Sequence, residues 1–354
     1  MSRFLNARYQ PLQAYVPGEQ PRDAGWVKLN TNESPYAPAE GVVRAAAEAA
    51  AGLNLYSDPT CTLLRDALAE RYGVKRENIC AVNGSDEALN FAFMAFGGRG
   101  AVFPDITYGF YPVFCQLHGI PFREIPLKAD FSIDPAEYFG VNGLVVIANP
   151  NAPTGMALPV AEIERILRGN PDGVVLVDEA YVDFGGESCM PLVEKYENLL
   201  VVRTFSKSRS LAGARLGFAV GQKALIDDLE KLRYSTNPYN INSMTLAAGR
   251  AALMQDDYYM ENCAKIAATR EATRDALTAL GFEVLPSQGN FLFAAHGCMP
   301  GEAVNQALRK RRVLVRHFAK ERIAGYNRIT IGTPQQMRTL VEALRDIVSE
   351  GENP

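Results

Sequence analysis

The sequence predicts an α/β protein: a mostly parallel central sheet with helices on both faces, followed by a smaller α+β domain at the C-terminus. Three observations predict it. Short runs such as LVVIA (144–148) and GVVLVD (173–178) are apolar at consecutive positions, as strands covered on both faces are. These runs alternate with segments whose apolar residues recur at helical spacing, which is the pattern of a parallel sheet. The chain has 354 residues, beyond the ~250–300 at which one core usually stops growing, and its character changes after about residue 222.

The first 30 or so residues are rich in Pro, Gly and Gln without periodicity and read as an arm over the surface or over a neighbour. AEGVVRAAAEAAAG (39–52) is an Ala-rich helix expected to close at Gly52, and TLLRDALAERYG (62–73) is a second helix ending at Gly73. ICAV (79–82) precedes a helix from about Ser85, AVFP (101–104) precedes one around 109–118, and LVVIA leads to the helix AEIERILRG. GVVLVD, LLVVRT (199–204) and GFAVG (217–221) complete the expected strands. Helices then cover 222–234 and 243–279, followed by FEVL, NFLFAA, the helix EAVNQALRKR, VLVR, RITIG and a last helix over about 334–349. The expected division is an arm over 1–38, a large domain over 39–240 and a small domain over 241–354.

Composition excludes several classes of function. Hydrophobic residues at 47% and charged residues at 21% belong to a globular chain, not a disordered one. A net charge of −4 supplies no basic field, so nucleic-acid binding is not expected. No apolar run approaches the ~18–20 residues of a membrane span, so no membrane partner is expected, and MSRFLNARYQPLQAY does not read as a signal peptide. Cys61, Cys80, Cys115, Cys189, Cys263 and Cys298 form no C-x-x-C pair, the usage of reduced thiols in the cytoplasm. His118, His296 and His317 lack metal-ligand spacing, so no metal site is expected.

In a parallel α/β sheet, ligands bind beyond the carboxyl ends of the strands. Four such ends are rich in polar residues. Asn83-Gly84-Ser85-Asp86-Glu87 turns from a strand into a helix whose N-terminus suits a phosphate, or Ser85 is simply a cap. Asp178-Glu179-Ala180-Tyr181 places a carboxylate at the tip of a buried strand, where it holds a cation, a protonated ring nitrogen or a turn. Thr204-Phe205-Ser206-Lys207-Ser208, with Arg215 beyond it, offers a Schiff-base lysine among phosphate-binding groups, or else an ordinary cationic loop. Asn149-Pro150-Asn151-Ala152-Pro153-Thr154-Gly155 is a rigid turn or a preset polar loop. A Schiff-base lysine, an acid for a pyridinium nitrogen and a phosphate cradle are together the requirements of pyridoxal phosphate.

Over nearly its whole length the sequence resembles the fold-type I pyridoxal phosphate-dependent aminotransferases, and within them the histidinol-phosphate aminotransferase branch. The resemblance rests on LNTNESPY (29–36), NLYSD (54–58), NGSDEAL (83–89), PDITYGFY (104–111), NPNAPTG (149–155), VDEAYVDF (177–184), RTFSKSRSLAGARLGF (203–218), NFLF (290–293), VLVRHF (313–318) and RITIGTPQQM (328–337). It implies Lys207 as the Schiff-base lysine and general base, Asp178 as partner of the pyridine N–H, and Tyr181 as partner of the phenolic oxygen. It implies Ser85, Asp86, Thr204, Ser206 and Arg215 around the cofactor phosphate, with Tyr108 on the ring face. Tyr56 would reach the site of a second subunit, which implies a homodimer. Arg328, Arg316 and Tyr15 would hold the anionic parts of glutamate and of a phosphorylated amino alcohol. The family's usual loop reads N-P-N-N-P-T-G, and Ala152 here replaces the Asn that contacts the phenolic oxygen. Asn151 or Tyr181 would take over, or the bond is absent.

The rivals share the cofactor: an aromatic amino-acid aminotransferase and a threonine-phosphate decarboxylase. A non-catalytic cofactor-binding regulator would need a DNA-binding module, and no spare basic helix-turn-helix segment is present.

Overall fold

The structure, a computed structural model, describes residues 2–351. Its elements in chain order are β1 (Val27–Lys28), α1 (Glu40–Ala50), α2 (Thr62–Tyr72), β2 (Ile79–Val82), α3 (Ser85–Phe96), β3 (Ala101–Pro104), α4 (Tyr111–His118) and β4 (Phe122–Ile125). There follow β5 (Leu144–Ala148), α5 (Val160–Arg168), β6 (Val174–Asp178), β7 (Leu199–Thr204), β8 (Gly217–Gly221), α6 (Lys223–Thr236), α7 (Ser243–Met254) and α8 (Asp256–Ala279). The last part holds β9 (Phe282–Val284), β10 (Phe291–His296), α9 (Gly301–Lys310), β11 (Val313–Leu314), β12 (Arg316–His317), β13 (Tyr326–Thr330) and α10 (Pro334–Gly351).

Seven strands form the central sheet in the order β2-β8-β7-β6-β5-β3-β4. All pairs are parallel except those of β8, which runs antiparallel to β2 and β7. The consecutive apolar residues divide between two faces, as the two-residue repeat of a strand requires. Val145, Ile147, Val175, Val177, Leu199 and Val201 join one core with residues of α1, α2, α5 and α7. Leu144, Val146, Leu176, Leu200 and Val202 join the other with residues of α3, α4 and α6. The edge strand β4, FREI, was not expected, because three of its four residues are exposed and it lacks the continuous apolar signature.

Helix ends follow local chemistry. Gly73 takes a left-handed φ of 65° after α2, as expected for a glycine that stops a helix. α1 instead ends at Ala50 with a right-handed Ala51, so Gly52 lies beyond the cap. The helical stretch expected over 243–279 is two helices, which break at Gln255. α7 packs on α1 and α2 rather than on the small sheet.

The smaller unit carries an antiparallel sheet in the order β12-β13-β10-β9. Within the segment expected to be an arm, β1 pairs with β11, which ties Val27 and Lys28 to this unit. Among the described residues no helix is long and apolar enough to cross a membrane.

Candidate active site

Strands β2, β5, β6 and β7 run in one direction, so their carboxyl ends meet at one edge of the sheet. A cavity of about 270 Å³ opens there. Its walls bring together Ser85 and Asp86 after β2, Tyr108 after β3, Asp178 at the end of β6 with Tyr181 beyond it, and Thr204, Ser206, Lys207 and Arg215 around β7.

Lys207 sits half-buried, its Nζ donating to the Thr31 carbonyl at 3.1 Å. Burial, with the positive Arg328 acting in the same direction, lowers its ammonium to about 8. A lysine near 8 presents far more neutral amine at physiological pH than one near 10.5. Across the cavity Asp178 is 5% exposed. Its carboxylate accepts the Tyr111 hydroxyl at 2.9 Å and the Ala180 N–H at 3.2 Å. Burial nevertheless raises it to about 6. Among the described residues it has no ion-pair partner. A buried carboxylate without a cation calls for one.

The cradle beside them combines a helix terminus with hydroxyls and an arginine. The first N–H groups of α3 have no intrahelical partner, and the helix dipole favours an anion there. Gly84, with φ 75°, is the cap, so Ser85 is the first residue of the helix rather than its cap. A Cβ on Gly217 would stand 2.5 Å from the Ser85 nitrogen, so the strand behind the cradle must carry glycine. Arg215 donates to Asp86 at 3.0 Å and to the Ser206 hydroxyl at 3.4 Å, while Thr204 bonds Ser206 at 3.0 Å. Asp86 also accepts the Tyr108 hydroxyl at 2.9 Å.

Other residues singled out from the sequence lie elsewhere. Asn151 is not on the cavity wall. Its amide donates to the Ile106 carbonyl and to Thr154 Oγ1, both at 3.0 Å, and its oxygen accepts from Thr107 at 2.8 Å. Ala152 and Pro150 face the cavity instead. Tyr56 stacks on Tyr239 at 4.4 Å and is 83% exposed, away from this chain's own cavity.

Tyr15, Arg316 and Arg328 line an adjoining cavity of about 350 Å³, which shares Tyr108 and Ala152 with the first. Arg328 stands opposite Arg316 across the β12–β13 pair. Like charges directly opposite on a sheet repel. Arg328 donates to the Asn30 carbonyl at 3.0 Å, and its Nε has no partner. Arg316 donates only to the Val16 and Pro17 carbonyls, at 3.1 and 3.4 Å. Neither has an ion-pair partner among the described residues.

Sequence reasoning missed Tyr111, which lies within PDITYGFY but carries no signal separating it from a core tyrosine. It also missed Asn32, whose Nδ2 donates to the Tyr181 hydroxyl at 3.0 Å. The pairing of Asn32 with a residue so distant in the chain had no local signal.

The class of protein follows from comparison. The family model described as aminotransferase class I and II matches residues 24–344. The chain is therefore a pyridoxal phosphate-dependent aminotransferase of that class. The residues present fit that cofactor: an amine near neutrality, an unpaired buried carboxylate and a glycine-backed helix N-terminus share one cavity. Among curated relatives, histidinol-phosphate aminotransferase 2 of Dechloromonas aromatica is 48% identical, over 98% of this chain and 99% of its own length. Histidinol-phosphate aminotransferase 1 of Bradyrhizobium diazoefficiens is also 48% identical, over 98% of this chain and 100% of its own. The crystal structure of histidinol-phosphate aminotransferase from Sinorhizobium meliloti in complex with pyridoxal-5'-phosphate matches with a TM-score of 0.87 at 26% identity, covering 99% of this chain and 100% of that one. The chain belongs to the histidinol-phosphate aminotransferases.

Proposed function

We propose that the chain moves the amino group of L-glutamate to imidazole acetol phosphate, giving 2-oxoglutarate and L-histidinol phosphate. One observation carries the choice of substrate: Arg316 and Arg328 face each other as an unneutralised cationic pair in the cavity adjoining that of Lys207. An anion settling between them removes the repulsion. The planar guanidinium suits carboxylate and phosphate alike. The glutamate carboxylate needs Arg328, and the phosphate of the second substrate needs Arg316 as well, with Tyr15 beside it.

When bound, pyridoxal phosphate supplies the electron sink for the pair left on the substrate Cα. Lys207 would hold the cofactor covalently and would carry the proton from the substrate Cα as general base. Its lowered ammonium suits that task. Asp178 keeps the proton on the pyridine nitrogen, and Tyr111 fixes the carboxylate for it. Tyr181 would donate to the phenolic oxygen, and Tyr108 would cover the ring. The N–H groups of Ser85 and Asp86, with Thr204, Ser206 and Arg215, bind the phosphate.

The working assembly is a homodimer in which Tyr56 reaches the partner's cofactor phosphate. Its outward position supports this, as does the exposed apolar company of Leu53, Leu55 and Leu63, which are 53%, 71% and 63% exposed. The cytoplasm is the proposed compartment, in keeping with the free cysteines.

Single-turnover spectroscopy tests the reading. Cofactor-loaded enzyme is mixed separately with L-histidinol phosphate, L-glutamate and L-phenylalanine, and the visible absorbance of the bound cofactor is followed. Fast conversion by the first two and slow conversion by phenylalanine is expected. Conversion by phenylalanine but not by histidinol phosphate would overturn the assignment and favour an aromatic aminotransferase.

A further inference from the structure

The Tyr181 hydroxyl ends a directed chain of hydrogen bonds that begins in the small unit. Asn32 follows β1, is fully buried and has a φ of 57°. Its backbone N–H, which can only donate, bonds the Thr330 hydroxyl at 2.9 Å. Having accepted there, Thr330 turns its own proton to Asn32 Oδ1 at 2.9 Å. That fixes which end of the amide faces Tyr181: Nδ2 donates to its hydroxyl oxygen at 3.0 Å. The Asn32 carbonyl is pinned in turn by Asn290 Nδ2 at 3.0 Å.

A phenol has one proton and its oxygen's lone pairs. With Asn32 occupying an acceptor side, the Tyr181 proton is free to point into the cavity. The opposite wall offers no substitute, because Ala152 presents a methyl group and the Asn151 amide is spent on Ile106 and Thr154.

We propose that Asn32 is a positioning residue for the reaction: it commits the Tyr181 proton to the phenolic oxygen of bound pyridoxal phosphate. The proposal rests on the reading that Lys207 and Tyr181 hold that cofactor. The bond stabilises negative charge on the phenolic oxygen, and more so once the nitrogen joined to Lys207 has lost its proton. Asn32 therefore lowers the pH at which the loaded enzyme's visible band titrates. The charged and titratable groups around Tyr181 are Arg328 on β13, Asp178 on β6, Asp86 on α3, Lys207 after β7, and Tyr108 and Tyr111. None of them is altered in the test.

The test is a spectrophotometric pH titration of loaded wild type, Asn32→Gly, Tyr181→Phe and the double variant. Glycine keeps the left-handed backbone and removes only the amide. Asn32→Gly should raise the midpoint by about half to one pH unit, a fraction of a charge-assisted hydrogen bond. In the Tyr181→Phe background the same change should shift it no further. An equal shift in both backgrounds, or none in either, overturns the proposal. Should Asn32→Gly not fold, Thr330→Val removes the hydroxyl that orients the amide, and it should shift the midpoint in the same direction by less; no shift there overturns the proposal equally. If Tyr181→Phe alone leaves the midpoint unchanged, the reading of Tyr181 itself fails and the role of Asn32 falls with it, an outcome distinct from a midpoint that responds to Tyr181→Phe but not to Asn32→Gly.

Discussion

Substituting Asp183 with Asn should loosen the joint between the two loops that hold Lys207 and Tyr181. Asp183 lies just after Tyr181, and its carboxylate takes the Arg203 guanidinium at 2.6 Å and the Ser208 hydroxyl at 2.6 Å, with Arg209 at 3.5 Å. Ser208 is the neighbour of Lys207, so one carboxylate clamps the lysine loop to the tyrosine loop. Burial pushes the Asp183 carboxyl up, but Arg203, Arg209 and Ser208 outweigh it and bring it from 3.8 down to about 2. A shift of that size corresponds to about 2 kcal/mol of stability, at roughly 1.4 kcal/mol per pH unit. Because the folded value is depressed, this contribution is full above pH 4 or so and is lost as pH falls through about 2. Losing two hydrogen bonds to a charged group gives about 3 kcal/mol or more by a separate route. Charge balance limits the damage, since Glu179 remains 3.6 Å from Arg203 and Asp256 remains 2.5 Å from Arg209. At about 2.1 cal/mol/K per residue, 354 residues give an unfolding entropy near 0.7 kcal/mol/K. Asp183→Asn should therefore lower Tm by about 3–5 °C at pH 7. Calorimetry at one scan rate on cofactor-free protein reads it without interference from ligand binding. A Tm within about 1 °C of wild type would refute the clamp, as would strict additivity between Asp183→Asn and Ser208→Ala.

Three further outcomes follow from the site. Arg328→Gln should slow both half-reactions, whereas Arg316→Gln should slow mainly the one with histidinol phosphate; equal losses for glutamate and histidinol phosphate in the Arg316 variant contradict that division. The rate at which cofactor-free enzyme captures pyridoxal phosphate should rise with pH through about 8, as burial and Arg328 free the Lys207 amine; a midpoint near 10 argues against a lowered lysine. Gly217→Ala should weaken cofactor binding at least ~10-fold, because its Cβ would press on the Ser85 nitrogen at 2.5 Å; equilibrium dialysis showing unchanged affinity places the phosphate elsewhere.

The sheet was legible because its signal is local. A strand buried on both faces must be apolar throughout, and β5, β6 and β7 read that way residue by residue. The cavity residues were legible for a related reason: Ser85, Asp178, Thr204 and Lys207 all stand at or just past the ends of such strands, where the chain leaves the core and polar groups become affordable. β4 escaped because an exposed edge strand has no such constraint. The break at Gln255 escaped because helical periodicity runs through it on both sides. Tyr111 and Asn32 escaped for a different reason. Their roles depend on partners 67 and 149 residues away, and nothing in their own neighbourhoods distinguishes them from packed or turn residues.

The small unit contributes more to the cavity than a second domain's lid would. On β13, Arg328 and Thr330 are two residues apart and share one face of the strand. Arg328 meets Arg316 across the sheet, while Thr330 orients Asn32 and through it Tyr181. The strand that presents the proposed anion site therefore also sets the hydrogen bonding of Tyr181. Sliding β13 by a single residue would turn both side chains to the other face of the sheet. Its register against β10, with Arg328 beside Phe293 and Thr330 beside Phe291, is fixed by phenylalanines that are wholly buried. Apolar packing thus decides whether Arg328 and Tyr181 are aligned together: the Phe291 ring lies 5.0 Å from that of Tyr181 and 5.6 Å from the Arg328 guanidinium, and a core substitution at Phe291 or Phe293 should disturb both at once.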